Sequence, residues 1–579
     1  MSYLKYFSFV FLLICLSRTI EAQAILIDED FSDWDNIPAF YEDPSGDNLS
    51  TDVDFSTVKI KNDDRFIYLY LEIGTESLLQ QNNTISLLID TDSNPATGEL
   101  FENIGYEFIF NFWERNGRFF SNEETSFSSY TIGLVSAPTV TSNTFEIVFD
   151  RNAIIGGESV FTSDSFDIII RSHQTNGDLV PDSGEKLTYS FDTEATYTPE
   201  SYSLKKVNLS DLRVMSYNVL RDAIFDPSNK DFYKRIFQAI DPDIIGFEEI
   251  YNNSAQEAAA LIEEFLPSGE GEQWYHGDVG NDNLMVSRFP VINETALGGN
   301  AAYLLDLGDR ELLTVVAHPP CCNNDVNRQS EIDQFMGFIR DSKSGGGFDI
   351  EENTPIIVMG DMNMVGFAQQ QTTLLTGDIV NEGSSGPDFD PDWDGTPFED
   401  SKPANPGLPT TFTWYNSGSA FGAGRLDYMV YTGSVLEMTN NFSLHTMGMH
   451  ADSLAAYSLE KNDTFFASDH LPLVTDFQLK SLTSSEIDET FPASFELFQN
   501  YPNPFNPTTS ILFRIHESNI VTLEVFDFLG RRISTLINEH KATGLHTVAW
   551  DSKNASSGVY YYRLQVGGVS EVRKMILLK

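Results

Sequence analysis

Apolar and polar positions divide the chain into three stretches of different rhythm. From about residue 24 to 195, short apolar runs alternate with breaks rich in Asp, Asn, Gly and Ser. The runs are Phe66–Ile73, Ile85–Ile89, Tyr106–Phe112, Thr144–Phe149 and Phe166–Ile170. Runs of this length with no helical spacing between them predict a β-sandwich. A polar linker at 196–210, containing Pro199, follows. Strand-like runs then interleave with helical patterns. The strands are Arg213–Leu220, Pro242–Phe247, Leu284–Val286, Leu312–Ala317, Ile356–Met359, Leu426–Tyr431 and Leu471–Phe477; the helices are Asn229–Ile240, Ser254–Leu266 and Asp325–Arg340. This alternation predicts an α/β domain over 211–478. Ser228 with Asp231, and Ser254 with Glu257, are spaced as capping boxes for the first two helices. Asp378–Pro409, rich in Gly, Pro, Asp and Ser, reads as a long loop near a site or as a flexible insertion. A second linker (479–493) leads to 494–579, where five short runs predict a small β-sandwich.

The remaining segment, 1–22, has Lys5 ahead of an apolar core at Phe7–Leu16 and ends on Ala22. It reads as a secretory signal peptide. No later segment reaches membrane-spanning length. The formal net charge of -51 over 579 residues repels polyanions at long range and counts against a broad basic nucleic-acid platform. It leaves open a phosphodiester substrate, because bound divalent cations reverse the local field. Cys15 leaves with the signal peptide. Cys321 and Cys322 are adjacent, so they form either a vicinal disulfide or two thiols, never a long-range staple.

The candidate chemistry sits where the strands of the middle domain end. RVMSYN closes on Asn218, PDIIGFEE on Glu248 and Glu249, LLTVVAH on His318, and PIIVMGDMN on Asp361 and Asn363. Asp427 opens one late strand, and Asp469 and His470 precede the last. If these ends share one rim, carboxylates, amides and two imidazoles cluster over a packed core. Such oxygens suit Mg²⁺, Mn²⁺ or Ca²⁺ better than zinc. A cation, an activated water and donors for developing negative charge are the parts of metal-assisted phosphoester hydrolysis.

The ordered set Tyr217-Asn218, Glu248-Glu249, Ser287–Pro290, Ala317-His318, Gly360–Asn363, Arg425–Tyr428 and Ser468–His470 resembles the endonuclease/exonuclease/phosphatase superfamily. The resemblance implies a four-layer α/β sandwich and a metal-dependent phosphoric ester hydrolase. It implies that Glu249, Asn218 and Asp469 are metal ligands, that Asp361 orients or activates water and that Asn363 holds a phosphate oxygen. By the same resemblance, His470, oriented by Asp427, is the acid/base partner, His318 stabilises phosphate or leaving group, and Arg288 is a structural or phosphate contact. Glu248, where the family usually has Gln, reads as a rim charge. His318 is followed by Pro-Pro-Cys-Cys, another departure.

The flanks carry resemblances of their own. IDEDFSDW and the Asp90–Gly98 loop (DTDSNPATG) resemble a family-nine-like carbohydrate-binding β-sandwich. There Asp90, Asp92 and Asn94 offer oxygens for a structural Ca²⁺, and Trp34 and Trp113 are either sugar platforms or core. LFQNYPNPFNPTTSI, VFDFLGRRI and the final KMILLK resemble the type A sorting domain of the type IX secretion system. The expected whole is multidomain: an N-terminal β-sandwich, a central four-layer α/β sandwich and a C-terminal small β-sandwich. The expected protein is secreted or cell-surface and hydrolyses phosphodiesters, extracellular nucleic acid first. Rival readings are a phosphatase or sphingomyelinase-type phospholipase, and a non-catalytic glycan-binding protein.

Overall fold

The computed structural model describes residues 25–47, 53–199 and 202–480, and, beyond these, 495–497, 500, 502–503, 505–515, 518–527, 531–553, 555–566 and 569–578. The expected signal peptide, and all but the first two residues of the expected linker at 479–493, lie outside the described residues. The chain divides into two compact units, residues 1–480 and 481–579.

In the N-terminal part of the first unit, a five-stranded antiparallel sheet holds Phe55–Asn62, Phe66–Ser77 and Ser142–Asp150. A seven-stranded sheet holds Ile85–Asp90, Phe108–Asn111 and Ser165–Ser172. Side chains of both sheets, among them Leu69, Leu71, Leu87, Phe108, Phe145 and Ile168, close one core, which makes this region a β-sandwich. The strand Phe66–Ser77 explains its own sequence. Ile67, Leu69, Leu71 and Ile73 face that core, while Phe66 and Tyr68 face the opposite way into a second cluster with Phe412, Ala423 and Leu471 of the α/β part. Side chains alternate along a strand, so a run apolar at both parities needs cover on both faces. Trp34 belongs to this second cluster, is fully buried and donates Nε1 to Glu146 Oε2 (3.3 Å). It is core and no sugar platform. Trp113 packs edge-on against His173 at 4.8 Å. In the Asp90–Gly98 loop, Asn94 is taken up by the backbone, its Oδ1 accepting from Ala96 N–H. Glu107 instead joins Asp90 and Asp92, each bringing one oxygen within 4.8 Å of the others.

The α/β part carries two six-stranded sheets. The first has the order Tyr275–Gly277, Leu284–Ser287, Ile244–Glu248, Leu212–Asn218, Leu473–Leu479, Leu436–Ser443. The second has the order Val291–Leu297, Asn300–Asp306, Glu311–Ala317, Ile356–Asp361, Asp427–Tyr431, Glu399–Asp400. Val214, Ile244 and Met285 of the first meet Tyr303, Val316 and Met359 of the second in a common core. Helices Lys230–Ile240 and Ala255–Phe265 cover the first sheet, with Tyr233, Ile236 and Ile262 packed among Met215, Ile245 and Phe247. Helices Asp325–Lys343 and Ala368–Thr376 cover the second, with Ile332, Phe335 and Leu374 packed among Leu313, Val315 and Val358.

Several expectations change. The box at Ser254 and Glu257 is present, but Lys230–Ile240 starts from Asn229 with no side-chain cap, and Ser228 bonds Asp226 instead. The Gly/Pro/Asp-rich segment is no loose insertion: Lys343 Nζ donates to the carbonyls of Asp390, Pro391 and Asp392. Of the two states left open for Cys321 and Cys322, the vicinal disulfide is the one present.

A buried His445 makes stability sensitive to acid. Its ring lies against Phe412 (5.0 Å) and Tyr415 (5.2 Å), and among the described residues neither nitrogen has a hydrogen-bond partner. Burial holds its pKa down to about 4. The unfolded chain takes up a proton near pH 6.5, so the stabilising contribution is present above that pH and is lost as pH falls toward 4. His445→Phe is expected to remove about 2 kcal/mol of the stability lost between about pH 7.5 and about pH 5, read by urea unfolding of both proteins. Equal losses in the two proteins would contradict a neutral His445.

The second unit, taken by itself, pairs a three-stranded sheet (Phe495–Leu497, Thr508–Ile515, Gly544–Asp551) with a four-stranded one (Arg532–Lys541, Asn519–Asp527, Gly558–Val566, Val569–Leu577). Ile511, Phe513, Leu523, Tyr562 and Met575 are in its core. Among the described residues no helix is long and apolar enough to cross a membrane.

Candidate active site

Strand direction decides which strand ends meet. Leu212–Asn218 and Ile244–Glu248 are parallel, as are Glu311–Ala317 and Ile356–Asp361. Their C-terminal ends therefore lie on one rim. Asp427–Tyr431 runs antiparallel to Ile356–Asp361, so its first residue, Asp427, stands opposite Asp361. Leu473–Leu479 runs antiparallel to Leu212–Asn218, so His470, just before it, reaches the same rim.

At the centre is Asp361, 2% exposed. Its Oδ2 accepts from Asn218 Nδ2 (3.1 Å) and faces two imidazoles, His470 Nε2 at 3.4 Å and His318 Nε2 at 3.6 Å. Each ring is held from behind by a carboxylate. His470 Nδ1 donates to Asp427 Oδ2 (2.9 Å), and His318 Nδ1 donates to Asp282 Oδ2 (2.6 Å). Burial disfavours charge on both rings, but the surrounding carboxylates outweigh it. Asp427 and Asp361 lift His470 to about 10; the Asp282 bond and Asp361 lift His318 to about 9. The carboxylates thus bias both rings toward the imidazolium form.

Asn218 Nδ2 also donates to Glu249 Oε1 (3.2 Å), and Glu249 Oε2 accepts from Arg221 N–H (3.0 Å). Asn218 thus bridges two carboxylates. Asn363 stands two residues after Asp361; its Nδ2 donates to Pro319 O (3.0 Å). Asp469 Oδ2 accepts from Trp414 Nε1 (3.3 Å) and Asn416 Nδ2 (3.1 Å), while its Oδ1 is buried without a hydrogen-bond partner among the described residues. His318, Glu249, Asp361, Asn363, Asp469 and His470 all line one cavity of about 1010 Å³.

One expected contact is not brought there. Arg288 follows Leu284–Ser287, which runs antiparallel to Ile244–Glu248 and pairs Ser287 with Ile244. Its C-terminal end is therefore at the opposite rim from Glu248. Arg288 stacks there on Trp274 (4.4 Å) and lies 3.5 Å from Asp241. The same reversal brings Asp282, just before that strand, to the active rim, where sequence reading did not place it. Glu248 also departs from expectation. It is fully buried, accepts from Ser216 Oγ (3.0 Å) and leaves Oε2 unpartnered. Burial first, then Asp427 and Asp361, push its pKa well above the usual carboxylate range, so it is a buried acid beneath the site rather than a rim charge. The strand ends at Glu248, which is buried; Glu249 follows just past the strand end with φ +63 and lines the cavity.

A hard cation fits this donor set. Asp361, Asp427 and His470 bring ligand atoms within 4.8 Å of one another, but Asp427 and His470 are already bonded to each other. Glu249 and Asp361, like charges joined by a single amide, are the pair that a divalent cation would neutralise.

Residues 215–470 match the Endonuclease/Exonuclease/phosphatase family, and residues 499–578 match the Secretion system C-terminal sorting domain. Residues 215–470 form an endonuclease/exonuclease/phosphatase domain. Members of that family hydrolyse phosphoesters, and the sorting tail marks the protein for type IX secretion to the cell surface or beyond. Solved structures similar to the chain include the human Nocturnin catalytic domain with bound sulfate (17% identical, covering 47% of this chain and 95% of that one, TM-score 0.30). A second is D. rerio TDP2 complexed with a single-strand DNA product (13%, 46% and 99%, 0.29). A third is ANGEL2, a 2′,3′-cyclic phosphatase, with adenosine-2′,3′-vanadate (16%, 47% and 96%, 0.30). No curated protein matches the chain. The phosphatase-family domain accounts for the strand-end cluster, but the cavity over that cluster extends beyond residues 215–470: Gln80, Arg115 and Thr139 also line it.

Proposed function

We propose that the protein is an exported, divalent-metal-dependent phosphodiesterase, with extracellular nucleic acid as its substrate. The observation that supports this most is the placement of Asp361 between two imidazolium rings, each backed by its own carboxylate, at the floor of a large cavity. A phosphoryl group there meets two cationic N–H donors, His318 and His470, suited to the charge that develops on its oxygens. Asp361 is the carboxylate placed to orient water and take its proton. Asn363 is placed to hold a phosphate oxygen. Glu249, with Asn218 and Asp469, would hold Mg²⁺, Mn²⁺ or Ca²⁺. The cation, when bound, polarises the phosphoryl oxygen and offsets the site's acidity. The raised His470 pKa makes this ring a proton donor rather than the base.

The net charge of -51 favours a second reading, small or lipid phosphoesters, because it opposes the approach of polyanions. The N-terminal sandwich as a glycan-binding module, the cleaved signal peptide and a four-layer arrangement of the catalytic domain belong to the same proposal. The deciding test is a hydrolysis panel of single-stranded DNA, RNA, bis(p-nitrophenyl) phosphate, sphingomyelin and sugar phosphates. EDTA treatment is expected to lower turnover by about 10²-fold or more, with recovery on adding Mg²⁺ or Mn²⁺. Full activity after EDTA dialysis would exclude the metal, and cleavage of sphingomyelin or sugar phosphates alone would give the second reading.

A further inference from the structure

The cavity over Asp361 has a wall that the catalytic domain does not make. Gln80, Arg115, Pro138 and Thr139, all from the N-terminal sandwich, line it together with Phe421 and the catalytic residues. This wall is fixed in place. Thr139 Oγ1 donates to Met364 O (2.6 Å) and Arg425 O (3.1 Å), Thr141 N–H donates to Gly366 O (2.9 Å), and Gly422 N–H donates to Gln80 Oε1 (2.9 Å). Val135 and Ala423 form a parallel bridge. The segment so gripped, residues 414–424, also holds Asp469 through Trp414 and Asn416. The sandwich is thus seated on the loop that borders the catalytic groups.

Arg115 is the cation of this wall. Its guanidinium lies over the Phe421 ring, 4.2 Å from the centroid, and Nη1 donates to Gln80 O (2.8 Å). Among the described residues no carboxylate pairs with it, and one of its five N–H donors is used. The ring that supports it is 37% exposed. Stacking and the Gln80 bond fix the guanidinium plane, so little side-chain freedom remains to be lost when an anion binds. In a chain this acidic, an unpaired arginine held stiffly in the substrate cavity has a plain use: it attracts an anionic group.

We propose that the N-terminal sandwich completes the substrate site, with Arg115, stacked on Phe421, binding a phosphate of a nucleic-acid strand away from the scissile bond. Arg115 is then a specificity-determining residue that separates extended phosphodiesters from small ones. The proposal rests on the phosphodiesterase reading above and adds its substrate class.

The test compares the full chain and Arg115→Ala on two substrates, a short single-stranded oligodeoxynucleotide and bis(p-nitrophenyl) phosphate. Arg115→Ala is expected to raise KM for the oligonucleotide about tenfold more than KM for the small diester, with Arg115→Lys recovering part of the loss. The salt slope of oligonucleotide affinity is expected to fall by about one. Equal losses on both substrates, with a lowered melting temperature, would reduce Arg115 to a structural prop and overturn the proposal; so would unchanged kinetics on both. Wild-type protein that cleaves neither substrate would overturn the phosphodiesterase reading. Arg115 is then judged separately, by anisotropy of the labelled oligonucleotide on EDTA-treated protein. Weaker binding by Arg115→Ala supports the subsite, and equal binding overturns it.

Discussion

Asp361→Asn and His470→Gln are each expected to lower kcat for phosphodiester hydrolysis by about 10³-fold or more, with the folded structure retained. Asn keeps the shape of Asp361 and an oxygen for the Asn218 amide, but it cannot take a proton from water. Gln can still donate toward Asp361, yet it carries no charge and no transferable proton. His470 is held between Asp427 at 2.9 Å and Asp361 at 3.4 Å, so its replacement leaves two buried carboxylates uncompensated. Some loss of melting temperature accompanies the loss of turnover in that variant. Asp361→Asn relieves the repulsion with Glu249 but also takes a carboxylate from between the two rings, 3.4 Å from His470 and 3.6 Å from His318, so its melt is read beside its rate. Rates on bis(p-nitrophenyl) phosphate, beside circular dichroism melts, check both. Wild-type rates in either variant would remove that residue from the mechanism.

Gly360→Ala is expected to cost more than about 4 kcal/mol, enough to leave little soluble protein. Gly360 has φ +144, and a Cβ there would lie 1.9 Å from Ala317 O and 2.8 Å from Ala317 C. The obstacle is backbone in the neighbouring strand, register-paired with Gly360, so no side chain can move aside. The residues that follow these two positions are Asp361 and His318, 3.6 Å apart at Oδ2 and Nε2. The close approach of the strands at Gly360 therefore also brings Asp361 and His318 together. Soluble expression and a urea midpoint measure the effect. A variant with the wild-type midpoint would show that the strands can spread there.

Much of the candidate site was legible because a run of apolar residues that forms a buried strand leaves polar groups mainly to its ends. Asn218, Glu249, His318, Asp361, Asp427 and His470 are all found by that rule. It misled at Arg288 because a list of strand ends carries no direction. Once Leu284–Ser287 is antiparallel, its far end carries Arg288 away and its near end delivers Asp282. Glu248 was misjudged because composition cannot say which of two adjacent acids faces inward. The strands Val291–Leu297 and Asn300–Asp306 went unseen. The first is an outer strand of its sheet with exposed Asn293 and Glu294, and the second is a short apolar run (Ala301 to Leu305) that periodicity alone cannot tell from a piece of helix. The seam with the sandwich was the least visible. Thr139, Gln80 and Arg115 are ordinary loop residues in one dimension, and only the double-sided apolar run Phe66–Ile73 hinted that something would cover it.

That seam has a consequence for how the chain reaches its working state. Ile27 O accepts from Thr411 Oγ1 across 384 positions. Synthesis must therefore deliver most of the first unit before its opening residues find their neighbours. Until then Phe66, Tyr68 and Val148 present a greasy flank with nothing to rest on, a sticky interval in which a helper or a delay in folding is of use. Transplanting the hydrolytic half alone into another gene would expose the complementary flank at Phe412 and Leu471. The two halves are expected to have travelled through evolution as one cargo.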